Sequence, residues 1–232
     1  MEIIAEIGQN HNGDMDLAVK MIKSAKECGA DVVKFQLYDA RKLFPKVNNP
    51  WLRYNCKTEL SRDQVRYLAK TCKDIGIEFL ASAFDAERVK WLEGIGVRRH
   101  KIASRSIKDK KLIASLCRTK KPLLVSLGMW DGGGFPPIPS EGEVRFLYCI
   151  SKYPARLSDL GIKKVDFTKY AGFSDHTIGI SAAMAALARG ARIIEKHFTL
   201  DKNMYGPDHK GSMVPDELKV LNRFRKDLGR LL

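Results

Sequence analysis
Several familiar devices are missing from this sequence. No apolar run approaches the roughly 18 residues that a membrane helix needs. The opening MEIIAEIG is acidic at its second residue and falls short of a signal peptide. The cysteines are five: Cys28, Cys56, Cys72, Cys117 and Cys149. An odd count without a CxxC suggests neither a disulfide framework nor a zinc knuckle. Most sit in apolar surroundings and read as small core hydrophobes, in keeping with a reducing cytoplasm. Acidic side chains are in deficit, 27 Asp and Glu against 41 Lys and Arg, for a net charge of +14. No recognition helix, zinc finger or aromatic RNA-binding signature accompanies that charge, so no nucleic-acid partner is expected. The basic residues are spread along helix-like stretches such as IKDKKLIASLCRTKK and read mostly as solvated surface that can steer a phosphate-bearing substrate inward.

What is present is alternation. Strand-like segments at 3–8, 31–36, 78–84, 98–104, 122–128, 143–151, 171–176 and 192–199 are separated by helix-like runs at 15–28, 61–75, 85–96, 107–120 and 178–189, with a shorter one near 158–165 and a last one from Pro215. Asp14 and Asp85 are predicted N-caps, and Gly29, Gly76 and Gly190 predicted stops. The stretch from Leu37 to Leu60, with Pro45, Pro50 and Trp51, is a long excursion of the kind that is usually functional. Trp130 to Gly142 carries four glycines and three prolines, so the fifth crossover helix is expected to be replaced by a loop. With 232 residues, 44% of them hydrophobic, and no linker, the pattern predicts one domain, an α/β TIM (β/α)8 barrel. A doubly wound sheet is the runner-up, but Gly132-Gly133-Gly134 does not sit at a strand-to-helix junction with dinucleotide-fingerprint spacing.

In such a barrel the C-terminal strand ends share one pocket. The residues there are Glu6, Lys34, Gln36, Ser82, Lys101, Ser104, Ser126, Ser151, Ser174, His176, Glu195 and His197. A buried barrel layer is ordinarily Val, Ile and Leu. Two lysines and several hydroxyls instead make a donor-rich surface suited to phosphate and carboxylate oxygens. Taken singly, Lys34 and Lys101 are equally served by internal ion pairs with Glu6 or Glu195, and each serine by a bond to backbone. His176 and His197 stand 21 positions apart at the ends of two strands joined by one crossover, which brings them together as a metal half-site or as two separately hydrogen-bonded histidines.

These motifs resemble the N-acetylneuraminate (sialic acid) synthases, which condense phosphoenolpyruvate with an N-acetylated mannosamine. The matching segments are AEIGQNHNGD, DVVKFQ, HKIAS, LLVSLGM, SKYP, FSDHTIGI and IEKHFTLDKNMYGPDHKGSM, in order along the chain. The resemblance implies a TIM barrel and a divalent metal, manganese or a relative such as magnesium or cobalt, on His176 and His197. It implies that Lys34, Ser82, Lys101, Ser104, Ser126, Ser151 and Ser174 surround phosphoenolpyruvate, that Glu6 is the catalytic carboxylate, and that Gln36, Tyr153 and Asp208 contact the acylated sugar. Ser82 stands where threonine is common and Ser151 where asparagine can stand. Ser106 stands where the family can carry a sugar-binding glutamate. The antifreeze-like domain that usually follows the barrel, and the N-terminal hairpin beneath it, are expected to be absent. A homodimer and a separately supplied lid follow as possible partners. The expected activity is metal-assisted formation of a nine-carbon 2-keto-3-deoxy acid. Condensation with a different aldose, and a non-catalytic sugar- or partner-binding barrel, are the alternatives.

Overall fold
Period-two alternation in eight short strands closes the sheet on itself. In a computed structural model, which describes residues 1–44 and 50–231, the strands are β1 (Glu2–Gly8), β2 (Val32–Leu37), β3 (Glu78–Ala83), β4 (His100–Ile102), β5 (Leu123–Ser126), β6 (Val144–Cys149), β7 (Gly172–Asp175) and β8 (Ile193–His197). They pair in chain order, all parallel, and β1 closes on β8. Helices α1 (Met15–Glu27), α2 (Ala40–Leu43), α3 (Leu52–Thr58), α4 (Arg62–Ile75), α5 (Ala86–Ile95), α6 (Lys110–Cys117), α7 (Ser181–Ala188) and α8 (Pro215–Leu231) connect them. The expected TIM barrel is the observed fold. No helix of the described residues is long and apolar enough to cross a membrane.

The two faces of each strand do different work. Outward residues such as Ile3, Ala5, Ile7, Val33 and Phe35 pack against the helices in the main core. Inward, Ile4, Val32, Leu80, Leu124, Leu147 and Ile193 form a small apolar layer across the barrel. Below it Arg99 bridges Glu2 (2.7 Å) and Glu78 (2.8 Å), which closes the N-terminal end with a paired charge. The polar layer above it, toward the C-terminal ends, carries the candidate site.

Local signals account for the helix boundaries. Asp14 accepts from the backbone of Asp16 and Leu17, and Asp85 from that of Arg88. Ser61 and Gln64 form a reciprocal capping box on α4, which Gly76 ends in the left-handed conformation. Other boundaries differ from the expectation. Helix α6 starts at Lys110 because Asp109 caps it, and Ser104–Ser106 form a separate 3-10 turn. Helix α7 starts at Ser181 because Gly179, at φ +75°, interrupts the run. The short helix expected near 158–165 is two 3-10 turns, Leu157–Asp159 and Ile162–Lys164, split at left-handed Gly161. The long excursion contains α2 and α3; its Pro45 lies outside the described residues, Pro50 and Trp51 within them.

The fifth crossover carries no helix, as the glycines and prolines predict, and the sixth carries only the 3-10 turns. Aromatic side chains cover β6 instead. Phe135, from the Gly/Pro loop, stacks on Phe146 at 4.4 Å and 8°, and meets Tyr170 edge-on at 5.0 Å. Tyr148 packs on Tyr170 and Phe173. Phe135→Ala should therefore lower the unfolding free energy by about 1–2 kcal/mol, the range for losing one stacked, half-exposed ring. A denaturant titration checks this, and an unmoved midpoint would show that the loop does not brace β6.

Candidate active site
Four buried charges lie at the centre. Lys34 on β2 is 3.1 Å from Glu6 on β1 and 3.5 Å from Glu195 on β8, while Lys101 on β4 is 3.8 Å from Glu195. All four are almost fully buried. The internal ion pairs that the sequence left open as an alternative are thus present. They are unevenly distributed. Burial opposes charge on Lys34, but Glu195 and Glu6 outweigh it and hold the ammonium above its ordinary range. Lys101 is less well matched: burial pushes it down to about 8. Its short contacts are neutral, Ser126 Oγ at 2.7 Å and the Ile102 carbonyl at 2.9 Å. Glu195 would be raised by burial, yet Lys101 and Lys34 hold it down at about 2. Lys101 is therefore the cation with most to gain from an incoming anion.

Hydroxyls and amides complete the floor. Lys34 donates to Ser82 Oγ at 3.3 Å, Ser174 donates to Glu195 at 3.0 Å, and Gln36 Nε2 donates to Glu6 Oε1 at 2.8 Å. Glu6 Oε2 faces Lys34 as an ion pair but accepts no aligned hydrogen bond. Gly8, at φ +55°, lets β1 pass close by; a Cβ there would sit 3.1 Å from Gln36 and 3.4 Å from His197. Ser104 lines the same cavity, held by donation from the Gly128 backbone at 3.1 Å.

The two histidines converge above this floor. Their ring centroids are 6.0 Å apart. His176 Nδ1 lies 3.0 Å from the Ile150 carbonyl. A carbonyl only accepts, so Nδ1 carries a proton and Nε2 is the nitrogen that could ligate; burial disfavours the charged ring, but Cys149 and the Ile150 carbonyl outweigh it and hold the imidazole above its ordinary range. His197 Nδ1 is buried without a hydrogen-bond partner. Burial, the largest influence, holds the His197 imidazole below its ordinary range and so neutral, the form that ligates metal. The donor set fits half of a coordination sphere. No group of three or more His, Cys, Asp and Glu that could hold a metal exists among the described residues, so other ligands would come from water or substrate oxygens.

Most sequence-predicted residues meet in this one cavity: Glu6, Lys34, Gln36, Ser82, Lys101, Ser104, Ser126, Tyr153, Ser174, His176 and His197. Tyr153 stands at the mouth with its ring 4.2 Å from that of His176. Ser151 and Asp208 do not line the cavity. Ser151 sits at the rim, 3.9 Å from Cys149 Sγ, and Asp208 lies in the loop after β8, where its field reaches His197. Ser106 is buried just beyond Ser104.

Three features escape the sequence reading. Cys149 is no plain core residue: its Sγ lies 3.6 Å from His176 Nδ1 and 3.5 Å from Ser104 Oγ. Its place one alternation after Leu147 on β6 was the available signal. Phe84 and Ala103 also line the cavity. Asp175 and Lys196 form a fully buried pair at 3.0 Å, with Lys196 also donating to the Thr177 carbonyl and Asp175 accepting from Thr177. These two residues are paired across β7 and β8 and immediately precede the two histidines, so the pair fixes the histidine backbones relative to each other.

A closed parallel barrel with buried lysines, carboxylates and two convergent imidazoles at its C-terminal strand ends has the layout of a TIM-barrel active site. The chain belongs to the NeuB family, whose model matches residues 21–229. It is 36% identical to the N,N'-diacetyllegionaminic acid synthase of Legionella pneumophila, over 99% of this chain and 72% of that protein. It is 34% identical to the human N-acetylneuraminate-9-phosphate synthase, over 95% of this chain and 68% of that protein. The crystal structure of the N-acetylneuraminic acid synthetase from Leptospira borgpetersenii superposes with a TM-score of 0.88 at 32% identity, covering 98% of this chain and 84% of that one.

Two outcomes follow from the site. His176→Ala and His197→Ala should each weaken Mn²⁺ binding, read by paramagnetic titration, while circular dichroism stays native; unchanged affinity in both would remove the metal from these residues. Lys196→Met strands a buried carboxylate and should cost about 3–5 kcal/mol in denaturant unfolding, most of it recovered in the Asp175→Leu/Lys196→Met double variant. A single variant as stable as wild type would show that the pair carries no structural weight.

Proposed function
We propose that this chain condenses phosphoenolpyruvate with the open-chain aldehyde of an N-acylated mannosamine-type sugar, releasing phosphate and a nine-carbon 2-keto-3-deoxy acid. The observation that carries the reading is the under-matched Lys101 beside Lys34, with Ser82, Ser104, Ser126 and Ser174 around them, directly beneath His176 and His197 in a NeuB-family barrel. Lys101 and Lys34 bind the phosphate and carboxylate, and the serine hydroxyls complete their hydrogen bonds. Holding both anionic groups aims C3 of phosphoenolpyruvate at the aldehyde carbon. The new C–C bond forms as the enol π electrons leave C2 and the aldehyde C=O π bond opens to an alkoxide, which takes up the proton that the water then yields through Glu6. Water adds to the electron-deficient C2 and loses one proton to Glu6 Oε2, which accepts no aligned hydrogen bond. Collapse of that carbon to the ketone breaks the C–O bond to phosphate, and the remaining hydroxyl proton leaves with it. Gln36 holds Glu6 in place through the other oxygen. A divalent cation on His176 and His197, Mn²⁺ first and Mg²⁺ or Co²⁺ as relatives, supplies Lewis-acid polarisation of the aldehyde. Tyr153 and Asp208, at the mouth and in the β8 loop, belong to the sugar side of the reading. A cytoplasmic setting and a homodimer are part of the same proposal.

Phosphate release from phosphoenolpyruvate, with Mn²⁺ and a panel of N-acyl hexosamines, tests the reading. Lys34→Ala or Lys101→Ala should raise the phosphoenolpyruvate KM about 30-fold or more, the lower end for losing one buried charged contact. Release with another aldose but none with the panel would favour the different-aldose alternative. No release with any sugar, together with equal phosphoenolpyruvate binding by wild type and both variants, would leave a non-catalytic barrel.

A further inference from the structure
Arg105 is a cation without a counter-charge at the mouth of this site. It lies in the 3-10 turn Ser104–Ser106, directly after the β4 segment that carries Lys101. Its guanidinium sits over the ring of Phe44 at 5.0 Å and that of Phe84 at 5.9 Å, both within cation–π range. Phe84 lines the catalytic cavity together with Tyr153. Burial holds the guanidinium below its ordinary range, opposed by Tyr153. The residue as a whole is nonetheless exposed.

No carboxylate pairs with Arg105 among the described residues. The buried Arg88 and the half-buried Arg99 and Arg225 are matched, Arg88 to Glu59 and Asp85, Arg99 to Glu2 and Glu78, Arg225 to Asp31; Arg105, which is exposed, has aromatic faces instead. Ring faces orient the plane of a guanidinium but leave the hydrogen-bonding edge unsatisfied. An edge held in a fixed plane by two rings is a preformed receptor for a planar carboxylate or a phosphate. The ligand of the floor is not its target, because Lys34 and Lys101 take that role a layer deeper. A group that reaches Arg105 would therefore belong to the second substrate.

We infer that Arg105 is a specificity determinant that binds an anionic group, phosphate or carboxylate, on the acceptor sugar at the end remote from its aldehyde. The inference rests on the floor being the phosphoenolpyruvate site. Its test is a comparison of acceptors at saturating phosphoenolpyruvate and Mn²⁺: N-acetylmannosamine, its 6-phosphate and its 6-carboxylate. Wild type should prefer at least one anionic sugar over the neutral one in kcat/KM, and whichever is preferred identifies the anion. Arg105→Ala should lower that preference about ten-fold, mainly through KM, with Arg105→Lys intermediate because it keeps the charge and loses the flat fork. Direct titration of phosphoenolpyruvate into each protein reports on the floor separately. If it binds to all three and the preference is absent in wild type, or the same in Arg105→Ala, the inference is wrong. If wild type does not bind it at all, the reading of the floor falls and the inference with it.

Discussion
Two lysines and two carboxylates share the interior of this barrel, and the rest of the site is arranged around their balance. Lys34, Lys101, Glu6 and Glu195 sum to no net charge, which is what allows them to be buried together. The balance is local rather than uniform: Lys34 has two carboxylates within 3.5 Å, whereas Lys101 has one at 3.8 Å. The inner layer of Ile4, Val32, Leu80, Leu124, Leu147 and Ile193 lies beneath them, and Arg99 closes the end below that. Charges held this way cannot relax into water, so their response to a ligand is an electrostatic one made by fixed groups.

The scaffold spends its rigidity where the chemistry is. Asp175 and Lys196 tie β7 to β8 one residue before each histidine. Gly8 lets β1 run close enough for Glu6, Gln36 and His197 to share one volume. The opposite wall, β5 to β7, is built differently, with 3-10 turns and a Gly/Pro loop in place of two helices and stacked aromatics for cover. Ser126, Tyr153, Ser174 and His176 come from that wall to the cavity, with Cys149 behind His176.

Much of this was legible in the sequence because the barrel turns a period of two into position. Once Val32, Lys34 and Gln36 are assigned to one face, Lys34 and Gln36 must point into the barrel above Val32, and the same holds for Glu6, Ser82, Lys101, Ser174 and Glu195. Loop residues have no such rule, which is why Ser151 and Asp208 lie off the cavity that the strand residues share. Asp175 and Lys196 went unread because the alternation along β7 and β8 assigns the pocket to Ser174, Glu195 and the histidines, yet both line the cavity and are fully buried against each other. Arg105 was hidden as well, since its meaning lies in Phe44 and Phe84, which are distant in sequence. The short helix expected near 158–165 failed at a single residue, Gly161, whose left-handed backbone stops the run.

The central claim is that the buried floor is an anion site in which Lys101 waits under-protonated for its ligand. Calorimetric titration of phosphoenolpyruvate at pH 8, in two buffers of different ionisation enthalpy, tests it most directly. Burial holds Lys101 down at about 8, so at that pH part of the free protein has lost the charge that balances the floor at lower pH. A bound anion favours the charged ammonium, and the account predicts net proton uptake on binding. Binding with no proton uptake, or no binding at millimolar ligand, would contradict it.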